Sequence, residues 1–258
     1  MGRKIDITKC IGCGKCVDDC INQYLILKKH NDGREYADFK ERGHCLNCGH
    51  CNAICPVSAI EGGELEEFKY SDDELLVLMG RKRTVRKFDK SSEIKENELE
   101  RIVFAGETAP TDRNRKSARI YLIKESLPTV YNEVLDFLVA EVKKNGTIDP
   151  LYVPTMKLDA NREEILWGAE YLVVFVGKNE NLTDAIISAE RMQLEAEKLG
   201  IGTAYRGDIK KAFNNVESLK KRVEMKRSEE VLIAFAMGHT QLKYIKTAVK
   251  KNRKIIYI

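Results

Sequence analysis

The eight cysteines of this 258-residue chain constrain its fold more than any other feature, because all of them lie between residues 10 and 55. They form two runs with the same spacing, CxxCxxCxxxC. The runs consist of Cys10, Cys13, Cys16 and Cys20, and of Cys45, Cys48, Cys51 and Cys55. Three thiolates spaced CxxCxxC can surround one face of a cubane [4Fe-4S] cluster from a single tight loop, while the fourth comes from elsewhere. The spacing therefore predicts two iron–sulfur clusters with eight cysteine ligands.

The stretch from Cys10 to Cys55 resembles a bacterial ferredoxin of the two-[4Fe-4S] type. In that pattern the fourth cysteine of each run binds the cluster of the other run. The resemblance therefore implies two mixed ligand sets. The first set is Cys10, Cys13, Cys16 and Cys55, and the second set is Cys45, Cys48, Cys51 and Cys20. The family usually has proline after both fourth cysteines, whereas here only Cys55 is followed by proline and Cys20 is followed by Ile21.

Two other uses of cysteine fit the runs less well. A CxxC pair from each run could make a four-thiolate zinc site, but that would leave four thiols unexplained. Disulfides are typical of small secreted domains, whereas Met1 and the three residues after it lead straight towards the motif without a signal peptide. Clustered thiols with none elsewhere fit a reducing compartment, so a cytoplasmic location is expected.

Charge and hydropathy argue against a nucleic-acid partner and against a membrane span. The 44 basic and 40 acidic residues give a formal net charge of +4, which describes a mixed solvated surface, and no nucleic-acid-binding signature accompanies it. No apolar run reaches the roughly 18 residues of a membrane span. We therefore expect neither a nucleic-acid partner nor a membrane span.

The order of motifs predicts two domains. The cysteine pattern ends near Gly62-Gly63, so the first domain is placed at 1–63, a linker and the start of a helix at 64–74, and the second domain at 75–258. Asp32-Gly33 predicts a hairpin between the two cysteine runs. Ser71, with Glu74 three residues later, predicts a capping box at the start of a helix.

Beyond residue 75, strands and helices alternate. Pro128 is expected to open a helix, and the apolar run Tyr171–Val176 reads as a strand buried on both faces. Thr183 is expected to cap a long helix that Gly200 ends. The remaining expected elements are a helix around 99–103 and strands at 120–123 and 231–237. This alternation predicts a mixed α/β or α+β domain.

A basic segment, Lys82-Arg83-Thr84-Val85-Arg86-Lys87-Phe88, follows the first of these helices. Guanidinium and ammonium groups next to a hydroxyl can hold a phosphate by charge-assisted hydrogen bonds. Taken alone, the run also fits a solvated or nucleic-acid-binding face.

Residues from about Leu75 to the C-terminus resemble the nitroreductase family of FMN-dependent oxidoreductases. The family's Arg-Arg-Ser-x-Arg-x-Phe motif is matched by 82–88, its Ala-Pro-Ser-x-x-Asn loop by 109–114, and its Leu-Gly-(Leu/Ile)-Gly-Thr stretch by 199–203. Two departures stand out. Arg115-Lys116-Ser117 replaces the more common Gln-Pro-Trp, and Arg206 precedes Gly207 where a small or acidic residue is common.

The combined resemblances imply an α+β protein: a small ferredoxin-like domain with two cubane clusters, followed by a nitroreductase-like three-layer α/β/α FMN domain. They imply a homodimer with FMN at its interface. The implied FMN-binding residues are Lys82, Arg83, Thr84, Arg86, Asn114, Arg206, Gly207, Lys251 and Arg253. No residue is assigned a catalytic role.

Electron counting connects the two parts. Each cubane passes one electron, whereas a flavin accepts electrons singly and can release a pair as hydride. The expected function is an iron–sulfur flavoprotein oxidoreductase that passes electrons from a low-potential donor through two [4Fe-4S] clusters to FMN and on to a small acceptor such as a nitro compound, quinone or enone. The expected donor is a ferredoxin or NAD(P)H. Two alternatives remain open. One is an electron-transfer or redox-sensing module without a dedicated substrate, and the other is an inert flavin site whose basic run binds nucleic acid.

Overall fold

The computed structural model describes residues 3–62, 71–145, 165–246 and 254–257. By its contacts the chain divides into two compact units, one made of Met1–Arg83 with Leu242–Ile258 and the other of Thr84–Gln241. The end of the chain therefore packs with its beginning. The domain bounds expected from the sequence stay a prediction. Within the described ranges, no helix combines the length and apolar character needed to cross a membrane.

The first unit contains two small antiparallel sheets and short helices. Strand β1 (Lys4–Ile5) pairs with β4 (Ile60–Glu61), and β2 (Leu25–Lys29) pairs with β3 (Glu35–Phe39). Its helices are α1 (Lys15–Asp18), α2 (His50–Ile54) and α3 (Glu74–Arg81). Gly33, with φ of 80°, lies in the turn between β2 and β3, so the hairpin expected at Asp32-Gly33 is confirmed.

The two cysteine runs fold alike. Helix α1 begins directly after Gly14, whose φ is 72°, and α2 begins directly after Gly49, whose φ is 80°. Each glycine follows the second cysteine of its run. A residue with a side chain is strained in this left-handed conformation, so glycine lets each loop turn sharply into its helix.

Helix α3 begins later than the sequence suggested. The Asp73 side chain caps it by accepting a hydrogen bond from the backbone N–H of Leu76 at 2.9 Å. The predicted capping box of Ser71 with Glu74 is therefore wrong. Asp is as good a cap as Ser, and here the aspartate directly precedes the helix.

The second unit is built around one four-stranded sheet. Its elements in chain order are α4 (Glu96–Glu107), β5 (Arg119–Ile123), α5 (Leu127–Asn145), β6 (Tyr171–Gly177), α6 (Leu182–Lys198), β7 (Ile201–Tyr205), α7 (Gly207–Asn215), α8 (Glu217–Arg222) and β8 (Glu230–His239). The strand order is β5-β6-β8-β7, and every pair is antiparallel.

Both faces of this sheet are covered. Val173 and Phe175 of β6 belong to a buried apolar cluster with residues of α4 and α6. Leu172 and Val174, which point to the opposite face by the alternation of a strand, are 0% exposed. On that face α7 packs against β8 and α5 packs against α7. The expected three-layer α/β/α arrangement is confirmed.

Helix α6 carries the expected small-residue face but a different cap. Ala185, Ala189 and Ala196 are fully buried, and Gly200, with φ of 76°, follows the end of the helix as expected. The helix begins at Leu182 after a short 3-10 turn, with Asn181 in the cap position, so the expected cap at Thr183 is wrong. The preceding turn leads straight into the helix and leaves Thr183 inside its first turn.

Candidate cofactor sites

One cavity in the first unit is lined by four cysteines from both runs. It has about 350 Å³ of empty space, part of which is open to solvent, and its thiol lining is Cys10, Cys13, Cys16 and Cys55. Those are the members of the first ligand set. The fold thus brings the last cysteine of the second run to the first three of the first run, which supports the exchange of fourth ligands between the clusters.

The sulfurs of the second set accept hydrogen bonds from several donors. The backbone N–H of Tyr24 lies 3.3 Å from Cys20 Sγ, and that of Asn47 lies 3.4 Å from Cys45 Sγ. Cys51 Sγ accepts from the Arg3 guanidinium at 3.4 Å. Hydrogen bonds to sulfur stabilise negative charge there, which suits thiolate ligands.

Burial makes a bare thiolate unfavourable at both sets. Burial, together with the smaller effect of the neighbouring cysteines, raises the pKa of Cys16 to about 12. It also raises the pKa of Cys51 to about 11, although the nearby Arg3 opposes that rise. A metal-bound thiol is deprotonated outright, so iron would supply the positive charge that these buried sulfurs need as ligands.

The donor set fits two cubane clusters. All eight cysteines are free thiols, so the disulfide alternative is not realised. Among the residues that the structure describes, no three His, Cys, Asp or Glu side chains converge as single-ion ligands. A cubane cluster needs four thiolates, and each of the two sets supplies four.

In the second unit the basic segment lies against β7. Thr84 forms a parallel bridge with Thr203, and the N–H of Val85 donates to the Thr203 carbonyl at 2.9 Å. Gly202 makes this approach possible, since a Cβ there would lie 2.7 Å from Val85 Cγ2. The basic segment and the Leu-Gly-Ile-Gly-Thr stretch, which are far apart in the sequence, therefore lie side by side. Glycine is needed at position 202 because a larger residue would collide with Val85.

Trp167 lies next to two of the predicted cationic residues. The Arg206 guanidinium is 4.5 Å from the centre of its ring, and that of Arg86 is 6.0 Å from it. The Trp167 carbonyl also accepts from the N–H of Phe88 at 3.0 Å. Sequence reasoning missed this residue, although it is the only tryptophan in the chain.

Arg206 is more enclosed than the sequence suggested. It is 4% exposed and forms a bidentate ion pair with Asp208, and it also donates to the Ile165 carbonyl. A paired guanidinium presents less charge to a bound molecule than an open one. Its role in binding stays a prediction, as does that of Gly207, which opens α7.

The other predicted phosphate contacts lie in different settings. Arg83 is 6% exposed, whereas Lys82, Thr84 and Arg86 are partly buried. Lys251 and Arg253 fall outside the described residues.

The Ala109–Asn114 loop borders a second pocket, with about 830 Å³ of empty space that is partly open to solvent. Ala109, Thr111 and Lys116 line it from the loop side, and Asp184 and Ser188 line it from α6. Asn114 itself is exposed and has a left-handed backbone with φ of 54°. The loop thus reaches a pocket, while the predicted contact of Asn114 with a flavin stays a prediction.

A buried amide beside Thr203 also escaped sequence reasoning. Gln193 of α6 is 1% exposed, and its Oε1 accepts from the Thr203 hydroxyl at 3.0 Å. The sequence feature that could have revealed Gln193 is its position as a polar residue on the otherwise small and apolar face of α6. This hydrogen bond holds the side chain of Thr203, the residue whose backbone pairs with Thr84.

Comparison with protein families finds two matches. Residues 79–239 match the model of the nitroreductase family, and residues 9–59 match that of a 4Fe-4S dicluster domain. An uncharacterized ferredoxin of Methanocaldococcus jannaschii is 45% identical over 56 residues, which are 22% of this chain and 70% of the ferredoxin. Ferredoxin-3 of Nostoc sp. is 32% identical over 75 residues, 24% of this chain and 77% of that protein.

Solved structures share the fold of the second part. A nitroreductase with bound FMN from Bacteroides fragilis has a TM-score of 0.57 at 18% identity, with 72% of this chain and 100% of that chain covered. A nitroreductase with bound FMN from Desulfitobacterium hafniense has a TM-score of 0.57 at 22% identity, with 72% and 98% covered.

Proposed function

The chain belongs to the nitroreductase family and carries a ferredoxin-type 4Fe-4S dicluster domain at its N-terminal end, and from this we propose that it is an FMN-dependent oxidoreductase fed by its own clusters. Electrons would come from a low-potential single-electron donor such as a ferredoxin, pass through the clusters to FMN, and leave to a small acceptor such as a nitro compound, quinone or enone. When bound, FMN links one-electron carriers to two-electron chemistry.

The observation that carries the flavin assignment is the pairing of Thr84 and Val85 with Thr203. It holds the hydroxyl of the basic segment beside the Gly-Thr stretch, so both parts of the resemblance converge on one place. Lys82, Arg83 and Arg86 flank Thr84 in the sequence. Their cationic groups would suit a phosphate monoester, since guanidinium groups bind phosphate bidentately. FMN bound in structural relatives supports the same assignment.

We assign the clusters to the input side. Hydride from NAD(P)H would pass directly to a flavin and leave the clusters without a part, whereas low-potential [4Fe-4S] centres lie at the reducing end of the range. The cavity that joins Cys55 to the first cysteine run supports a complete cluster site in the same chain. The clusters would thus accept electrons one at a time from a single-electron donor and pass them to the flavin.

A homodimer is supported by exposed apolar side chains on two adjacent helices. Phe104 of α4 is 67% exposed and Ile186 of α6 is 45% exposed, and these helices pack against each other. Exposed apolar groups on neighbouring elements are typical of protein interfaces. Phe104→Glu should shift the protein from dimer to monomer in light scattering, and an unchanged dimer mass would place the interface elsewhere.

The route of electrons is tested with a full-length variant, Cys13→Ala/Cys48→Ala, which removes one ligand from each set. Anaerobic stopped-flow with reduced ferredoxin should show rapid loss of flavin absorption in the native protein and slow loss in the variant. Dithionite, which reduces the flavin directly, serves as a control that the flavin site is intact. Equal rates with ferredoxin in both proteins would show that the clusters are not on the productive path.

A further inference from the structure

Arg3 forms a two-part contact with the second cysteine run. Its Nε and Nη2 donate to Asn47 Oδ1 at 3.2 and 2.8 Å, and its Nη1 donates to Cys51 Sγ at 3.4 Å. Asn47 lies between Cys45 and Cys48 and has a left-handed φ of 53°. The amide therefore fixes the guanidinium in position, and the guanidinium reaches the sulfur as a charged donor.

A cationic donor on a ligand sulfur favours the reduced cluster. One electron converts [4Fe-4S]²⁺ into [4Fe-4S]⁺ without forming or breaking a bond to the protein, and the added negative charge spreads onto the sulfurs. Cluster potentials depend on net charge, on hydrogen bonds to sulfur and on exposure. Arg3 supplies both a positive charge and a hydrogen bond, so it raises the potential of the cluster that Cys51 holds.

The first set has a different environment. Cys55 Sγ accepts from the backbone N–H of Ala59 at 3.2 Å, which is a neutral donor. The second set has two exposed cysteines, Cys45 and Cys48, and no buried one, whereas the first has one exposed cysteine, Cys13, and two buried ones, Cys16 and Cys55. Water stabilises the more highly charged reduced state, so exposure favours a higher potential at the second set as well.

The negative charge of Asp19 acts in the opposite sense. Asp19 precedes Cys20 and is 3% exposed, and its carboxylate accepts from the Tyr244 hydroxyl at 3.0 and 3.1 Å. That hydrogen bond stabilises the negative charge of Asp19, whereas Arg3 contacts Cys51 Sγ directly. Removing Arg3 therefore lowers the potential whatever the contribution of Asp19.

We propose that Arg3 makes the cluster of Cys45, Cys48, Cys51 and Cys20 the higher-potential member of the pair, so that an electron entering the module resides on that cluster. Arg3 is then a tuning residue for electron transfer and not a ligand. This inference rests on the two-cluster assignment within the proposed function, and it is independent of the donor, the acceptor and the direction of flow.

Potentiometric titration followed by electron paramagnetic resonance tests the proposal on the full-length protein. Arg3→Gln should lower the higher of the two midpoint potentials. The expected decrease is about 59 mV, which corresponds to a tenfold smaller equilibrium constant for one-electron reduction. The lower midpoint should stay in place. Lys28→Gln removes a charge from the same unit, where an exposed ammonium pairs with Asp38 at 3.7 Å, and should move neither midpoint.

Iron and sulfide analysis of the same samples separates failure of this inference from failure of the two-cluster assignment. If native protein holds one cluster, the assignment itself is wrong. Unchanged midpoints in Arg3→Gln, a shift of the lower midpoint instead, or an equal shift in the lysine control would overturn the tuning role. If Arg3→Gln loses iron, Arg3→Met takes its place. Loss of a cluster in both would overturn the proposal, because Arg3 would then be needed for cluster retention.

Discussion

Adding one methyl group at Gly202 should displace the basic segment. A Cβ there would lie 2.7 Å from Val85 Cγ2 and 2.9 Å from both Val85 Cβ and Cγ1. Real Cβ contacts are not so short, and Val85 is 2% exposed, so it has no open space into which to move. Overpacking of a buried contact of this kind costs about 1–3 kcal/mol. For a unit of this size, we expect a Tm lower by about 2–4 °C per kcal/mol.

The effect should reach the cofactor as well, because Val85 and Thr84 hold the segment against Thr203. Gly202→Ala is therefore expected to lose FMN during purification while it keeps its iron. A double-mutant cycle with Val85→Ala identifies the cause, since residues in contact show non-additive free energies of unfolding. Removing both Cγ atoms relieves the shortest contact but leaves the Cβ at 2.9 Å, so the cycle should recover part of the loss.

Differential scanning fluorimetry gives the Tm of the four proteins, and flavin absorption gives their FMN content. Gly207→Ala is the control for stability alone and is compared in FMN-free protein, because a Cβ there meets no atom within 4 Å but Gly207 is itself a predicted FMN contact. Strictly additive changes in the cycle, or a Gly202→Ala protein as stable and as flavin-rich as the native one, would refute the close packing of Val85 on this glycine.

Three further substitutions probe the sites. Arg83→Ala should weaken FMN binding by about ten- to a hundredfold, the value of a charge-assisted bond to phosphate, whereas the exposed Lys87→Ala should not; equal flavin retention in both would move the phosphate site. Cys20→Ala should leave about four iron atoms per chain, held by the first set, and an intact content of eight would exclude this residue as a ligand. Tyr244→Phe removes a bond to the buried Asp19 carboxylate and should lower the free energy of unfolding by about 1.5–3 kcal/mol in urea titration; no change would show that the contact is unimportant for stability.

Local spacing carried much of the prediction. The CxxCxxC loops, the Asp32-Gly33 turn and the apolar run of β6 are short-range signals, because each depends on residues that are close together in the chain. Capping was less predictable. Asp73 and Ser71 are both good caps, and only the point at which the chain enters helix α3 decides between them.

Long-range contacts explain what sequence reasoning did not find. Tyr244 joins the first unit although it follows the whole second unit in sequence, and its hydroxyl meets Asp19. The burial of Arg206 depends on Asp208 and on the Ile165 carbonyl, which no local motif encodes. The resemblance predicted which positions belong to the site, but it did not predict the burial or the hydrogen-bond partners of those residues.

The central claim is that one chain holds two [4Fe-4S] clusters and a flavin in electronic contact, and an anaerobic reductive titration of the native protein tests it most directly. With about eight iron, eight sulfide and one FMN per chain, the protein should accept about four electrons, one for each cluster and two for the flavin. Iron and flavin signals should both respond when reduced ferredoxin is the only reductant. Uptake of about two electrons by a protein with zinc in place of iron, or of about three electrons by a protein with four iron atoms, would contradict the two-cluster assignment.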